Sequence, residues 1–220
     1  AYYYYTDTQA RIAILTENSA KLEQAASSQK QTIDTLIADA AKFQHFSAET
    51  IVSDKGFKDL GSQKSHQSKW TKSVFETYKD ASIDLSWTVE LKNTCDKAGI
   101  AFFSSPYSIE LVDHLDNYVP AYKIGSGDIT WLEIIKHVAK KGKPLIISTG
   151  MATLGEVDEA VKLFREAGNE QLILLQCTTN YPSREEDCNL LAMQTMQNAF
   201  DVLIGYSDHT QNDTACIMSV

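Results

Sequence analysis

The chain has 220 residues, of which 43% are hydrophobic and 22% charged, so it can bury one sizeable core and is not a disordered, collagen-like or disulfide-scaffold chain. Its apolar runs are far shorter than the roughly 18 residues that a membrane span requires, and no basic, then apolar N-terminus suggests a signal peptide. A net charge of −9 with only three arginines repels a phosphate backbone. We therefore expect a cytoplasmic protein that binds neither membrane nor nucleic acid.

The first part of the sequence gives weak signals for regular structure, because residues 1 to 55 contain no Gly and no Pro. The patterns predict a weak strand at Arg11 to Leu15, a helix through Thr32 to Ala38 and a strand at Ala40 to Phe46. The following segment, Ser53 to Ser82, is rich in Lys, Ser and Gln and is too long for a plain connection. We interpret it as an insertion on the active-site face.

After Gly99, short β-favouring apolar runs alternate with helical patterns. The predicted strands are Ile100 to Phe103, Ala121 to Ile124, Pro144 to Ile147, Leu172 to Leu175 and Val202 to Ile204. The predicted helices are Ile109 to Asn117, Trp131 to Lys140, Leu154 to Ala167, Asn189 to Ala199 and a last one beginning at Thr214. Gly142 and Gly168 stand where helix C-caps are expected.

Strands that alternate with helices in this way are parallel, because a parallel pair needs a crossover connection. The fold class is therefore α/β. Seven strands are predicted, and a (β/α)₈ TIM barrel has eight and usually about 250 residues. We expect residues 1–220 to form one TIM-barrel catalytic domain that lacks its last strand.

The four cysteines, Cys95, Cys177, Cys188 and Cys216, form no CxxC pair and no zinc-type spacing. Each lies in a sequence that is typical of a buried helix or strand. We expect four reduced thiols in the core.

Polar residues follow the predicted strands, at the edge where a parallel barrel carries its functional groups. They are Lys42, Gln44, Ser104, Ser105, Lys123, Ser126, Asp128, Ser148, Thr149, Thr178, Thr179, Asn180, Tyr181, Ser207, Asp208 and His209. Hydroxyls with two lysines and few acids suit an oxyanion ligand such as phosphate or carboxylate. Any single Ser or Thr could instead be the N-cap of the next helix.

The lysines and one histidine carry the most specific signals. Lys123 lies within a strand, where an ammonium inside the barrel requires an anionic partner, either Asp128 or a ligand. The same argument applies to Lys42. His209 follows a strand end beside Asp208, which suits a metal ligand, an acid or base, or a structural residue equally. The other histidines, which lack a comparable setting, are His45, His66, His114 and His137.

The sequence contains no P-loop, no complete GxGxxG, no GxSxG and no HExxH. Nucleotide hydrolysis, dinucleotide binding, α/β-hydrolase chemistry and zincin proteolysis therefore lose their usual support.

Four segments, in order and correctly spaced, resemble the sialic acid synthase family, which includes N-acetylneuraminate synthase and the legionaminic and pseudaminic acid synthases. They read AYKIGSGD at 121–128, GKPLIISTGM at 142–151, LQCTTNYP at 175–182 and GYSDHT at 205–210. The resemblance extends from about Ala40 to Val220.

The resemblance implies that phosphoenolpyruvate condenses with an open-chain N-acetylhexosamine such as N-acetylmannosamine, with release of phosphate. The implied phosphoenolpyruvate ligands are Lys42, Ser105, Lys123, Ser126, Ser148, Thr179 and Ser207. Gln44, Asp128 and Tyr181 would face the sugar, and Lys123, Asp128 and His209 would be the catalytic residues. His209 would also bind the divalent metal, Mn²⁺ or Mg²⁺, and the full-length protein would be a homodimer.

Three features depart from this family. Its first strand carries a Glu followed by Asn-His-x-Gly, whereas residues 12–21 read IAILTENSAK. Its eighth strand, with a second histidine ligand, would come after Val220, as would its C-terminal antifreeze-like domain. Two alternatives therefore stay open: a class I aldolase with a Schiff base on Lys123, and a non-catalytic barrel that binds a phosphate ligand.

Overall fold

The fold was analysed in a computed structural model, which describes residues 40–59 and 70–219. The strand predicted at Arg11 to Leu15, the helix predicted at Thr32 to Ala38 and His66 lie outside the described residues. Within those ranges, no helix combines the length and the apolar character needed to cross a membrane.

The described residues contain one six-stranded parallel sheet in which every strand pairs with the next strand along the chain. The strands are β1 (Ala40–His45), β2 (Ala101–Pro106), β3 (Tyr122–Ile124), β4 (Leu145–Ser148), β5 (Leu172–Cys177) and β6 (Leu203–Ser207). The sequential order β1 to β6 with helical crossovers is that of a partial barrel of the TIM type, which confirms the predicted α/β class.

The helices are α1 (Ala48–Ile51), α2 (Asp54–Asp59), α3 (Val74–Asp80), α4 (Thr88–Ala98), α5 (Ile109–Leu115), α6 (Leu132–Ala139), α7 (Leu154–Glu166), α8 (Leu191–Phe200) and α9 (Thr214–Met218). Helix α7 shows how the sequence sets such boundaries. Thr153 and Glu156 form a reciprocal capping box at its start, and Gly168 follows its end with φ +93°. Gly142 likewise follows α6 with φ +69°, so both predicted glycine caps are confirmed.

Side-chain alternation divides each strand between a helix-packed core and the barrel interior. On β3, Tyr122 and Ile124 are fully buried in the core together with residues of α6 and α7, such as Ile135 and Phe164. The residue between them, Lys123, points to the other face. Because Tyr122 and Ile124 pack into the core, alternation places the charged Lys123 side chain on the face that lines the barrel interior.

Two expectations outside the strands can be compared with the structure. The segment Ser53 to Ser82 contains helices α2 and α3, and Tyr78 of α3 packs edge-on against Phe46, directly after β1, with ring centroids 5.7 Å apart. The prediction that all four thiols are buried is wrong for Cys216, which is exposed on the short helix α9.

Candidate active site

A cavity of about 450 Å³ opens at the carboxyl ends of the strands, where parallel barrels carry their functional groups. Ten of the eleven predicted site residues line it: Lys42, Gln44, Lys123, Ser126, Asp128, Ser148, Thr179, Tyr181, Ser207 and His209. Ser105 does not line it. The Ser105 hydroxyl is buried and has no hydrogen-bond partner among the described residues.

Two ammonium groups face this cavity without a carboxylate beside them. The Lys123 Nζ donates a hydrogen bond to the Ser148 hydroxyl at 2.6 Å. Among the described residues, no carboxylate lies within 4.0 Å of either Lys123 or Lys42. Burial, and then the charge of Lys42, lowers the pKa of Lys123 to about 8, and burial also lowers the pKa of Lys42. Both shifts agree with the lack of a neighbouring carboxylate among the described residues.

Asp128, the predicted alternative partner of Lys123, belongs to a short 3₁₀ turn, Ser126–Asp128, that follows β3. Burial raises the pKa of its carboxyl group, and the Lys123 charge opposes that rise. The attraction acts across the cavity rather than through a direct ion pair. Asp128 and Lys123 are therefore both available to a ligand.

The loops after β3, β4 and β5 interlock around the Ser126 hydroxyl. Its Oγ accepts a hydrogen bond from the Gly150 N–H at 3.1 Å and lies 3.0 Å from the Cys177 Sγ. A side chain at position 150 would stand 2.8 Å from both the Cys177 Sγ and the Thr179 methyl group. Only glycine permits this close approach, which holds the three loops in one arrangement.

His209 lies at the cavity with a defined tautomer. Its Nδ1 is 2.7 Å from the carbonyl oxygen of Thr178, which can only accept, so Nδ1 carries a proton, and in the neutral imidazole Nε2 has the free lone pair. The Tyr181 ring packs against the imidazole with centroids 4.3 Å apart. A free Nε2 held by a carbonyl at Nδ1 is the usual arrangement of a metal-binding histidine.

His209 does not by itself make a metal centre. Over residues 40–59 and 70–219, no three His, Cys, Asp or Glu side chains cluster closely enough to hold an ion. Its neighbour Asp208 accepts hydrogen bonds from the Thr210 N–H and from the Thr210 and Tyr206 hydroxyls, so its carboxylate stabilises the loop after β6. The described residues therefore do not complete a metal site.

Several other polar residues at strand ends serve the fold. The Thr149 hydroxyl donates to the Leu175 carbonyl, and the Thr178 hydroxyl donates to the Asp187 carbonyl. These contacts support a structural role for Thr149 and Thr178, rather than a role in ligand binding.

The cavity also includes residues that the sequence analysis did not select, among them Tyr107, Cys177 and Ile51. Tyr107 was missed because β2 was predicted to end at Phe103, whereas it continues to Pro106 and thereby places Tyr107 at the strand end. Cys177 was assigned to the core, and it is buried, but its sulfur also reaches the cavity wall.

A second cavity of about 510 Å³ lies beside the first, against α7 and α8, and shares Cys177 and Thr179 with it. Among the described residues, Asp187 is the only charged one that lines this second cavity. The first cavity contains both lysines, Asp128 and His209, and it is therefore the candidate active site.

On the opposite face of β1, a polar network is buried away from the cavity. His45, which is fully buried, lies 2.7 Å from the Ser104 hydroxyl through Nδ1 and 3.2 Å from the Thr88 hydroxyl through Nε2. Ser104 donates to the Phe43 carbonyl at 3.1 Å, and the Nε2 of His114 lies 3.0 Å from the Thr88 hydroxyl. His45, which the sequence analysis passed over, is thus a core residue.

The comparisons with known proteins agree with this geometry. The profile of the NeuB family matches residues 31–220. This chain belongs to the NeuB family, the sialic acid synthases. The resemblance inferred from the four strand-end segments is therefore confirmed.

Individual relatives show how much of the family's length is represented. The N,N'-diacetyllegionaminic acid synthase of Campylobacter jejuni is 39% identical over 180 residues, which are 79% of this chain and 52% of that protein. The pseudaminic acid synthase of the same organism is 32% identical over 220 residues, covering 97% of this chain and 63% of that protein. The chain thus spans about half to two thirds of these relatives.

Among solved structures, the N-acetylneuraminic acid synthetase of Leptospira borgpetersenii, in complex with citrate, superposes with a TM-score of 0.69 at 28% identity. The match covers 90% of this chain and 64% of that one. The partial barrel is therefore the fold of the NeuB family.

Proposed function

We propose that this chain carries the catalytic barrel of a nonulosonic acid synthase, an enzyme that condenses phosphoenolpyruvate with an open-chain N-acetylhexosamine such as N-acetylmannosamine. The observation that carries the proposal is the pair of ammonium groups, Lys42 and Lys123, which line one cavity with no carboxylate within 4.0 Å of either among the described residues. A phosphate and a carboxylate on one small ligand would supply the missing negative charge.

The reaction forms one carbon–carbon bond and releases inorganic phosphate. C3 of phosphoenolpyruvate attacks the aldehyde carbon, and the aldehyde oxygen takes up a proton to become a hydroxyl group. The positive charge that develops at C2 is quenched by water, which loses a proton. The C2–O bond to phosphate then breaks while the C2 hydroxyl gives up its proton to the departing phosphate, which leaves a 2-keto acid and inorganic phosphate.

The side chains in the cavity suit these steps. Lys42 and Lys123 would hold the anionic substrate and offset the charge on the departing phosphate. The Ser126, Ser148 and Ser207 hydroxyls line the same cavity and can donate to its oxygens. The loops after β3, β4 and β5 are interlocked through Gly150, so the Ser126 hydroxyl is positioned before the ligand arrives.

We also propose that the reaction depends on Mn²⁺ or Mg²⁺. His209 is the one ligand that we propose among the described residues, and it would bind the metal through Nε2. We also propose, from the family, that the full-length protein is a cytoplasmic homodimer.

One observation favours a second function. A buried lysine whose pKa is lowered to about 8 is suited to form a Schiff base with a keto substrate, as in class I aldolases. Lys123 shares its cavity with a second cation, Lys42, and two neighbouring cations favour anion binding over Schiff-base formation. Membership of the NeuB family also supports anion binding.

The test is phosphate release from the full-length protein supplied with phosphoenolpyruvate and N-acetylmannosamine, with and without a chelator. Synthase chemistry predicts that phosphate and a 2-keto acid appear only with both substrates and that chelation abolishes both. Full activity after exhaustive chelation, with borohydride trapping of substrate on Lys123, would establish the aldolase instead. Phosphoenolpyruvate binding without turnover of any acceptor would leave a non-catalytic barrel.

A further inference from the structure

The phenol of Tyr107 lies in the cavity wall, on a residue that two contacts hold in place. The backbone N–H of Tyr107 donates to the His45 carbonyl at 3.1 Å. Its ring meets the Phe46 ring edge-on, with centroids 6.0 Å apart and an angle of 82°. These two contacts fix the backbone and the ring of Tyr107, so its hydroxyl has a defined position in the cavity wall.

The hydroxyl has a proton left to donate. It accepts a hydrogen bond from the Gln44 side-chain amide at 3.3 Å, and no acceptor for its own proton is found among the described residues. Burial, and then the charge of Asp128, raises the pKa of Tyr107 to about 12. The phenol therefore stays protonated at neutral pH and acts as a hydrogen-bond donor.

Tyr107 and Asp128 flank a notch above Gly125. A methyl group at position 125 would stand 3.4 Å from the Asp128 carboxylate and 3.5 Å from the Tyr107 hydroxyl. Gly125 has φ −73°, which any residue can adopt, so the backbone itself does not require glycine here. The notch thus offers one donor, one acceptor and room for a small ligand group between them.

The charges divide the cavity between two substrates. An anion is attracted to Lys42 and Lys123 and repelled by the Asp128 carboxylate. A neutral ligand rich in hydroxyl and amide groups can use the Asp128 acceptor and the Tyr107 donor together, since each of its hydroxyls both donates and accepts.

We propose that Tyr107 is a specificity-determining residue whose hydroxyl donates a hydrogen bond to an oxygen of the neutral, polyhydroxylated acceptor substrate, beside Asp128. This inference deepens the proposed function and rests on it. It adds the Tyr107 hydroxyl to the side of the cavity where the family resemblance already places the sugar, next to Gln44 and Asp128.

The test compares Tyr107→Phe, which removes one oxygen and keeps the packed ring, with Tyr118→Phe as the matched control. Tyr118 lies after α5, with its ring 5.8 Å from that of His114, and does not line the cavity. We expect kcat/KM for the acceptor to fall about 3- to 10-fold in Tyr107→Phe, the range of one neutral hydrogen bond. Phosphoenolpyruvate affinity by calorimetry, the melting temperature and the control should be unchanged.

Acceptors with one hydroxyl replaced by hydrogen identify the contact. One of these analogues should lack the hydroxyl that Tyr107 contacts. The wild-type protein should convert this analogue with the same lowered kcat/KM that Tyr107→Phe shows with the natural acceptor. Tyr107→Phe should lose no further kcat/KM when it is given the analogue. Gly125→Ala, which fills the notch with a methyl group, should lower acceptor kcat/KM and leave phosphoenolpyruvate affinity intact.

The outcomes separate the two proposals. A wild-type protein that turns over no acceptor contradicts the proposed function itself. A wild-type protein that turns over the acceptor, with Tyr107→Phe and Gly125→Ala kinetically unchanged, contradicts only the role of Tyr107. Equal losses for acceptor and phosphoenolpyruvate in Tyr107→Phe would also overturn it, because they would indicate a general disturbance of the cavity.

Discussion

The two faces of β1 both carry polar side chains, but only the helix-side face buries them, with His45 fully buried and Lys42 and Gln44 exposed at the cavity. Lys42 and Gln44 face the cavity, whereas Phe43 and His45 face the helices on the other side. On the helix side, the donors and acceptors form one continuous series. On the cavity side, two ammonium groups are left without a carboxylate among the described residues.

The helix-side network can be assigned proton by proton. Because Ser104 donates to the Phe43 carbonyl, it must accept from His45 Nδ1–H. His45 Nε2 then has no proton and accepts from Thr88, which in turn accepts from His114 Nε2–H. This network is satisfied internally and stabilises the fold, whereas the unmatched charge on the cavity side calls for a ligand.

The largest expected effect is on the helix side, where the free energy of unfolding should fall at acid pH because His45 is held neutral in the folded chain. Burial, and then the charge of His114, lowers the pKa of His45 from 6.5 to about 4. The unfolded chain therefore binds a proton from pH 6.5 downward that the folded chain refuses until about pH 4. The stabilisation is complete above pH 6.5 and falls with pH, with about 3 kcal/mol lost by pH 4 and about 2 kcal/mol by pH 5.

Urea unfolding at pH 7 and at pH 5 measures this loss, with His45→Gln as the matched variant. The variant should be less stable at pH 7, because the Ser104 and Thr88 hydroxyls lose their partner, and its stability should change less between the two pH values. Equal pH dependence in both proteins would show that His45 is not held neutral by the fold.

The next effect removes charge from the cavity side. In Lys123→Met, phosphoenolpyruvate affinity should fall by ~1.5–3 kcal/mol, roughly 10- to 150-fold, which is typical of a hydrogen bond to a charged group. The free energy of unfolding should not fall, because burial of the ammonium costs stability in the unliganded protein. Titration calorimetry and urea unfolding measure the two quantities, and Lys162→Met on the exposed side of α7 is the control.

The pH dependence gives an independent check on Lys123. Since its pKa is lowered from 10.5 to about 8, the folded chain loses this proton first as pH rises. The unfolding free energy of the unliganded protein should therefore increase between about pH 8 and 10.5, and Lys123→Met should lack this increase. A variant that unfolds, or that keeps its affinity whenever it folds, would make Lys123 a structural residue like His45.

The difference between the faces also explains what could be predicted from sequence. Strands β2 to β6 were found within a few residues because each apolar run is flanked by polar or glycine residues. Alternation on a strand also predicted that Lys123 and its neighbours lie on opposite faces, one of them inside the barrel. The ten cavity residues came together because strand ends converge in a parallel barrel.

What could not be predicted depends on contacts between distant residues. His45 resembles any histidine until Ser104, 59 positions later, and Thr88, 43 positions later, provide its partners. Tyr107 was hidden by an error of three residues in the end of β2, and boundaries are the least reliable part of such a prediction. Ser105, whose register partner on β1 is the cavity residue Gln44, has a buried hydroxyl with no hydrogen-bond partner among the described residues, and its predicted role as a ligand stays a prediction.

The smallest effect concerns Cys177, which belongs partly to both kinds of environment because it is buried and yet reaches the cavity. Its Sγ and the Gly150 N–H together fix the Ser126 hydroxyl, so Cys177→Ala removes one of two contacts and leaves the other. We expect phosphoenolpyruvate affinity to fall about 2- to 5-fold in Cys177→Ala, since a thiol is a weak hydrogen-bonding group. Cys177→Ser, which keeps a donor and acceptor at this position, should lose less, and Cys95→Ala, which empties a buried thiol of α4, should affect stability alone. If Cys177→Ala binds as tightly as the wild-type protein in calorimetry, Gly150 alone positions Ser126, and Cys177 is a core thiol as the sequence predicted.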